Sequence, residues 1–203
     1  TAIAVSAGDS HTCTLLDNGE LKCWGRGSDG KLGYDSIDNK GDSAGEMASL
    51  SAVNLGAGRT AVAISAGQQH TCAILDNGDL KCWGGGYYNY GQLGYDSTDT
   101  KGDSAGDMAS LGAVDLGVGR TAVAVSAGDY HTCAILDNGE LKCWGYGSYG
   151  RLGYDSTDNK GDSAGEMASL GAVDLGAGRT AVAVSAGGAH TCAILDNGEL
   201  KCW

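Results

Sequence analysis

Residues 11–24 read HTCTLLDNGELKCW, a stretch in which two cysteines are separated by nine residues. Close copies of this stretch begin at His70, His131 and His190. The Asn-Gly pair midway between the cysteines is typical of a tight turn joining two antiparallel strands. With a three-residue loop at Asp17-Asn18-Gly19, Cys13 lies directly opposite Cys23, at a Cα separation that a disulfide tolerates. The sequence therefore predicts a disulfide-bonded hairpin in every copy.

The same register predicts one disulfide for each hairpin. The predicted pairs are Cys13–Cys23, Cys72–Cys82, Cys133–Cys143 and Cys192–Cys202. One alternative is a zinc site that also uses His11, but zinc sites favour cysteines two to four residues apart. The other alternative is that the cysteines are free thiols. Because several disulfides in a short chain indicate an oxidising compartment, we expect an extracellular or cell-surface protein.

The hairpin belongs to a longer repeat that opens with the string TAVAVSAG or a close variant of it. This string starts at Thr1, Thr60, Thr121 and Thr180. The chain therefore divides into repeat 1 (1–59), repeat 2 (60–120), repeat 3 (121–179) and a partial repeat 4 (180–203). Repeat 2 is two residues longer than repeat 3, and the extra residues fall in residues 84–91. An insertion confined to one place marks a surface loop.

Four short strands are predicted in each full repeat. In repeat 3 they are 121–128, 131–136, 140–144 and 172–176, with a polar, glycine-rich stretch between the last two. Short antiparallel strands with a period of about 60 residues are typical of propeller blades. We therefore predict an all-β fold of tandem four-stranded antiparallel blades.

The motifs also resemble a known family. The string SAGDYHTCAILDNGELKCWG (126–145) and GQLG (91–94) resemble the regulator of chromosome condensation repeat, especially its Cys-paired variant in secreted bacterial and algal proteins. GDSAGEM (161–167) and VDLG (173–176) are similar to that variant too. The resemblance covers the whole chain and implies one β-propeller blade per repeat, with seven blades in the ring of the founding members. Those members are nuclear exchange factors for a small GTPase, but the loops behind that activity are not recognisable here.

The repeats also suggest an open or incomplete array rather than a closed seven-bladed ring. Residues 1–24 and 180–203 duplicate one element, so we expect the array to continue beyond both ends. Near-identical repeats that each contact the next build filaments when the contact does not close. The first hypothesis is thus an extracellular structural protein that binds copies of itself head to tail into a fibre, with Trp203 near Thr1 of the next copy. Recent duplication would produce the same uniformity.

The alternative hypothesis is a secreted recognition module, an adhesin or lectin-like propeller. Its candidate interaction loop contains Tyr87, Tyr88, Tyr90, Tyr146 and Tyr149. Exposed tyrosines can stack on glycans or pack on a protein partner, although they are also common at solvent-facing loop tips. Uniform loops would favour assembly and divergent loops would favour recognition.

Each full repeat contains four carboxylates in its polar stretch. They are Asp35, Asp38, Asp42 and Glu46; Asp96, Asp99, Asp103 and Asp107; and Asp155, Asp158, Asp162 and Glu166. Calcium takes oxygen ligands from such loops, but aspartates also cap turns without any metal, so both interpretations stay open. No other cofactor is expected.

The charge pattern excludes other classes of function. The net charge is −12, with acidic residues in every repeat, which disfavours nucleic acid as a partner. No apolar run approaches the length of about 20 residues that membrane insertion requires. The recurring histidines indicate a structural role, and no nucleophile recurs beside a partner carboxylate, so we do not expect an enzyme.

Overall fold

The structure, a computed structural model, describes residues 1–203 with the exception of the Tyr87 side chain. Its strands form four antiparallel sheets, one in each repeat, and each sheet contains three strands in chain order. The prediction of an all-β array of antiparallel sheets is therefore confirmed. Among the described residues, no helix is long and apolar enough to cross a membrane.

The strands recur at equivalent positions in the four sheets. Repeat 1 contains β1 (Ala2–Ala7), β2 (His11–Leu16) and β3 (Leu21–Gly25). Repeat 2 contains β4 (Ala61–Ala66), β5 (His70–Leu75) and β6 (Leu80–Gly84). Repeat 3 contains β7 (Ala122–Ala127), β8 (His131–Leu136) and β9 (Leu141–Gly145). Repeat 4 contains β10 (Ala181–Ala186), β11 (Thr191–Leu195) and β12 (Leu200–Cys202).

Short helical turns occupy the polar stretch that follows the third strand. The 3-10 turns are Ser28–Gly30, Gly86–Tyr88 and Ser148–Gly150. The single-turn α-helices are α1 (Glu46–Ser49), α2 (Asp107–Ser110) and α3 (Glu166–Ser169). The α-helical turn of repeat 2 packs on the preceding blade, because Met108 joins the core that Leu15 and Leu21 of repeat 1 line.

The hairpins have the predicted register. Cys13 pairs directly with Cys23 across β2 and β3, with 4.1 Å between their Cα atoms. The other three predicted pairs form the same disulfide, so all eight cysteines of the described chain are bonded. Gly19, with a φ of +78°, closes the turn and donates its N–H to the Leu16 carbonyl. A left-handed conformation of this kind favours glycine.

The predicted fourth strand is not a regular strand. Val173 donates one backbone hydrogen bond to the Leu141 carbonyl, at 2.7 Å, and Val53 and Val114 do the same in their repeats. The segment then turns, because the Asp174 side chain accepts the N–H of Gly176 at 2.8 Å. Each blade therefore consists of three strands and an extended segment held to the third strand by one bond.

The hydrophobic core lies between successive sheets. One cluster joins Leu15 and Leu21 of repeat 1 to Leu75 and Trp83 of repeat 2. Trp83 is completely buried there, as Trp144 is at the next junction. Truncating such a tryptophan to alanine typically costs about 3–5 kcal/mol, so the stacking of blades depends on these junctions.

The sheets present two opposite ends. At one end lie the connections from the first strand to the second and the loop after the third strand, because Ala7 pairs with Thr12 and His11 with Gly25. We name this end the variable face. It comprises residues 8–10, 26–31, 67–69, 85–92, 128–130, 146–151 and 187–189.

The hairpin turns lie at the other end, which we name the uniform face. It also holds the turns between repeats, since Ala61 donates its N–H to the Gly19 carbonyl. The uniform face comprises residues 17–20, 54–59, 76–79, 115–120, 137–140, 174–179 and 196–199.

Candidate interaction site on the variable face

The large differences between repeats 2 and 3 lie on the variable face. Here Gln69 is replaced by Tyr130, Gln68 by Asp129, and the loop 85–92 by the shorter loop 146–151. Elsewhere the two repeats differ only by exchanges between residues of similar type or size. These are Ile64/Val125, Asp79/Glu140, Thr100/Asn159, Asp107/Glu166 and Val118/Ala177. Diversity is therefore gathered at one end of the sheets.

Four tyrosines from repeats 2 and 3 form a cluster on this face. Tyr90 stacks on Tyr146, with 4.4 Å between ring centroids and 27° between ring planes. Tyr130 lies edge-on to both, at 5.9 Å from Tyr90 and 6.5 Å from Tyr146. The Tyr88 centroid is 5.8 Å from that of Tyr130. Such aromatic pairs contribute about 0.5–1.5 kcal/mol beyond their buried area, so the cluster joins the loops of neighbouring repeats.

Arg151 extends the cluster to a fifth tyrosine. Its guanidinium carbon lies 4.8 Å from the Tyr146 ring centroid and 5.5 Å from that of Tyr149. Its Nη1 donates to the Gly188 carbonyl of the next repeat at 2.6 Å. Tyr149 is 79% exposed and has a φ of +65°, a left-handed conformation that costs a side-chain-bearing residue about 1–2 kcal/mol. The loop thus holds an aromatic ring in solvent.

A central cleft of about 270 Å³ opens beside the tyrosines, where the first strands of the repeats end. It is lined by residues 7–9, 66–68, 127–129 and 186–188. Backbone bonds such as that from the Asp9 N–H to the Gly67 carbonyl link these strand ends from one repeat to the next. The side chains that reach the cleft differ between repeats: Asp9, Gln68 and Asp129.

The structure brings together most of the predicted interaction loop. Tyr88, Tyr90 and Tyr146 contact one another directly or through the cluster, and Tyr149 joins through Arg151. The side chain of Tyr87 lies outside the described residues. Tyr130 is not one of the predicted residues, although it replaces Ser10, Gln69 and Ala189 of the other repeats, a variation that could have identified it.

The recurring histidines act at the junctions between blades. His11 Nε2 lies 2.7 Å from Thr71 Oγ1 of the next repeat, and that hydroxyl donates to the Lys31 carbonyl at 2.8 Å. Since the hydroxyl proton is used, His11 must be the donor and carries its proton on Nε2. Trp83 Nε1 donates to the same carbonyl at 3.1 Å. The pattern recurs for His70 with Thr132 and for His131 with Thr191.

Burial keeps these imidazoles neutral. It lowers the pKa of His11 to about 4, with a further contribution from Lys31. The same cause lowers the pKa of His70 to about 3 and that of His131 to about 4. The expected structural role therefore has a specific form: a neutral histidine bonds a threonine hydroxyl across the junction, rather than a backbone group.

The acidic stretch of each repeat also works at the junction. Asp35 accepts the N–H groups of Gly106 and Met108, at the start of α2 in the next repeat, at 3.0 and 2.8 Å. Asp96 makes the equivalent bonds to Gly165 and Met167. A carboxylate at a helix start satisfies backbone donors that have no partner within the helix.

Other carboxylates of the stretch stabilise its turns. Glu46 accepts three backbone N–H groups, from Gly41, Asp42 and Ser43, at 2.8–3.1 Å. Among the described residues, no group of three or more His, Cys, Asp or Glu is arranged to hold a metal ion. The geometry therefore favours the turn-forming interpretation over the calcium site.

Comparison with known proteins identifies the repeat. The model of the regulator of chromosome condensation (RCC1) repeat matches residues 2–31, 61–92, 122–151 and 181–203. The chain belongs to the RCC1 repeat family. In each full repeat the matched segment covers the three strands and the start of the polar stretch.

Curated relatives share about a third of the sequence. The chain is 31% identical over 205 residues to the ultraviolet-B receptor UVR8 of Arabidopsis thaliana, covering 99% of the chain and 41% of the receptor. It is 35% identical over 158 residues to the human E3 ubiquitin-protein ligase HERC2, covering 77% of the chain and 3% of the ligase. The chain thus spans less than half the length of these RCC1 relatives.

Solved structures share the fold. The chain matches yeast RCC1 (Prp20), solved bound to Kap60, with a TM-score of 0.73 and 19% identity, over the whole chain and 43% of that protein. It also matches the ectodomain of the Physcomitrella patens receptor kinase CR4, with a TM-score of 0.55 and 19% identity, over the whole chain and 41% of that ectodomain. The blades are therefore those of a β-propeller.

Proposed function

We propose that this chain is part of a secreted recognition propeller that binds a protein partner through its variable face. The observation that carries the proposal is the position of the large sequence changes: repeats 2 and 3 differ by more than conservative exchanges only where Tyr130, Tyr146 and Tyr149 cluster. Large differences gathered on one exposed face are what selection for a specific partner produces.

The composition of the variable face supports a protein partner. Six of the nine tyrosines of the chain lie there, accompanied by glycine, serine, asparagine and arginine. Antibody loops use the same set, because tyrosine supplies a large amphipathic contact at low entropic cost while small residues adapt. The face carries three acidic and three basic residues, so it is neutral on a chain of net charge −12.

The disulfides support secretion. Four buried bridges in a short chain are typical of an oxidising compartment. The fold also occurs outside cells, in the ectodomain of a receptor kinase. Some RCC1 relatives bind proteins, since yeast Prp20 has been solved with Kap60 and its binding to Gsp1p and histones has been studied. Protein binding, rather than any of those partners, is what we transfer to this chain.

A selection from displayed random peptides tests the proposal. We expect peptides that bind the immobilised chain and lose binding to the double variant Tyr88→Ser/Tyr149→Ser, whose side chains are 47% and 79% exposed. The matched control is Arg59→Ser/Arg120→Ser on the uniform face, which should bind as the original chain does. If every enriched peptide binds both variants equally, the variable face is not the recognition surface.

A second candidate function is end-to-end assembly, favoured by the outer surface of repeat 1. Met47 is 49% exposed, whereas its equivalents Met108 and Met167 are fully buried by the preceding blade. Trp24 is likewise only half-buried, whereas Trp83 and Trp144 are buried. A further blade would cover this surface with the same contacts that join the internal blades, and in this candidate function a second copy of the chain supplies that blade.

Sedimentation velocity tests assembly. If copies associate head to tail, the weight-average mass rises with concentration, and Met47→Lys abolishes the rise because it places a charge in the contact. Asp115→Lys, on the uniform face, is the control. A chain that stays monomeric at high concentration would rule out the fibre.

A further inference from the structure

We infer that the central cleft takes a lysine or arginine side chain presented by the protein partner, while the tyrosine cluster packs against the segment that carries it. The inference rests on the proposed function and specifies the chemistry of the partner. It is carried by a cleft of about 270 Å³, by Asp9 and Asp129 in its lining, and by Tyr130, which follows Asp129 in the chain and belongs to the tyrosine cluster.

The carboxylates of the cleft accept no hydrogen bond from the described residues, although Asp9 interacts electrostatically with Lys31, and Asp129 with Arg151. Among the described residues, neither Asp9 nor Asp129 makes a side-chain hydrogen bond or an ion pair. The Asp129 carboxylate lies directly over Gly188, in space that a side chain at that position would occupy. Both carboxylates therefore keep their full capacity to accept hydrogen bonds from a cation.

The nearby cations, by contrast, are already engaged. Lys31 Nζ donates to the Gln69 side chain at 3.1 Å and to the Gln68 carbonyl at 3.3 Å. Arg151 is bonded to the Gly188 carbonyl and lies over two tyrosine rings. The variable face has no net charge, but the charged groups at the cleft that can still accept a hydrogen bond from a ligand are the two carboxylates. A basic side chain is the complement.

Tyr130 extends this environment to the aromatic cluster. Tyr130 directly follows Asp129 in the chain; burial raises the pKa of Tyr130, and the charge of Asp129 raises it further. A lysine or arginine that enters the cleft would pass its aliphatic stem along the ring. A cation beside an aromatic ring is attracted by the negative face of the ring, and more strongly when water is excluded.

The geometry disfavours a sugar as the occupant. A sugar ring needs an open aromatic face to stack on. Tyr146 is already engaged by Tyr90 and by the Arg151 guanidinium.

The test measures binding of a fluorescein-labelled peptide of alternating glycine and lysine, by anisotropy at low salt. The double variant Asp9→Asn/Asp129→Asn keeps the shape of both side chains and removes their charge. We expect its affinity to fall at least about tenfold, the loss of one charge-assisted hydrogen bond. Asp115→Asn/Asp174→Asn removes the same charge on the uniform face and should change affinity less than about twofold, since exposed charges contribute little.

Equal losses in both double variants would overturn the inference, because they would show only general attraction to an acidic chain. A second contrary result is that a cello-oligosaccharide competes with the selected peptides for the chain and the lysine peptide does not. This result would overturn the inference in favour of a glycan. Selected peptides that need Tyr149 but contain no basic residue would also overturn it, and the proposed function would then survive. Peptides that bind without regard to Tyr88 and Tyr149 would instead contradict the proposed function.

Discussion

The variable and uniform faces are the two ends of the same strands, and they differ in almost every property. The uniform face carries ten acidic residues and three arginines, a net charge of −7, repeated with little change along the chain. The variable face has no net charge and six tyrosines. Both ends belong to the same three-stranded sheets, so the scaffold does not dictate the difference.

The uniform face is uniform because its residues hold the turns together. Arg59 pairs with Asp76, Arg120 with Asp137, and Arg179 with Asp196, at 3.1–3.4 Å. Each aspartate follows the second strand, and each arginine precedes the next repeat. On the variable face the side chains that hold the loops differ from repeat to repeat: Gln92 accepts the Tyr90 N–H in repeat 2, whereas Arg151 donates to the Ser148 carbonyl in repeat 3. A repeat can change its ligand there without changing its fold.

Acid should break the scaffold that both faces share. The pKa values of His11, His70 and His131 are lowered to about 4, 3 and 4, whereas an unfolded histidine titrates near 6.5. As pH falls below about 6.5, the unfolded chain takes up protons that the folded chain does not, so stability is lost. We expect about 2 kcal/mol of loss per histidine at pH 5, or about 6 kcal/mol in total.

Urea unfolding at pH 7 and at pH 5 measures this loss. The variant His70→Gln should be less stable at pH 7 but should lose about one third less on acidification. A pH dependence that is the same with and without His70 would contradict the assignment of these neutral imidazoles.

Removing a disulfide should separate the two faces. The double variant Cys72→Ala/Cys82→Ala should lose about 3 kcal/mol, because the bridge closes a short loop in the unfolded chain. Hydrogen exchange should then accelerate mainly in the hairpin turn 76–79 of the uniform face. If the loop 85–92 accelerated as much, the hairpin and the variable face would be one unit.

Removing one junction hydroxyl should have a smaller effect. Thr71→Val leaves the His11 Nε2–H without an acceptor in a buried site, which we expect to cost about 2 kcal/mol. Thr12→Val is the matched control, because Thr12 makes no side-chain hydrogen bond among the described residues. It should cost less than about 0.5 kcal/mol. Equal costs in the urea midpoints would show that the junction bond does not matter.

The smallest effect on stability should come from the variable face. Tyr149→Gly removes an exposed ring from a residue in the left-handed conformation. The relief of backbone strain offsets the added freedom of the unfolded chain. The free energy of unfolding should therefore stay within about 1 kcal/mol of that of the original chain. Tyr154→Phe in the same repeat removes a buried hydroxyl that bonds the backbone of Cys143 and Gly171, and should cost about 1–2 kcal/mol. A larger cost for Tyr149→Gly would make that ring part of the scaffold.

Sequence reasoning could predict the parts of the fold that depend on local pattern. The Asn-Gly turn and the cysteine spacing determine a hairpin register, so Cys13 opposite Cys23 followed directly. The sequence did not predict that the strand after Ala172 would be so short, because the turn that ends it depends on the Asp174 side chain accepting the Gly176 N–H. Four of the interaction tyrosines were named from their loop. Tyr130 was missed because only the packed sheets bring it beside residues distant in sequence.

The carboxylates show the same limit. Their spacing allows either calcium ligands or turns, and the choice depends on what surrounds them. Asp35 bonds the start of a helix 71 residues away in the next repeat, a contact that exists only when the blades stack. Pattern within one repeat cannot anticipate a partner in another.

The affinity of a selected peptide for two single variants tests the central claim most directly. We compare Tyr149→Gly with Arg120→Ala, both of which change exposed side chains and should leave the fold intact. The account predicts that Tyr149→Gly weakens binding at least about tenfold, as loss of an interface hot spot does, while Arg120→Ala changes it less than about twofold. The opposite result, with binding lost through Arg120 and kept without Tyr149, would place recognition on the uniform face and contradict the account.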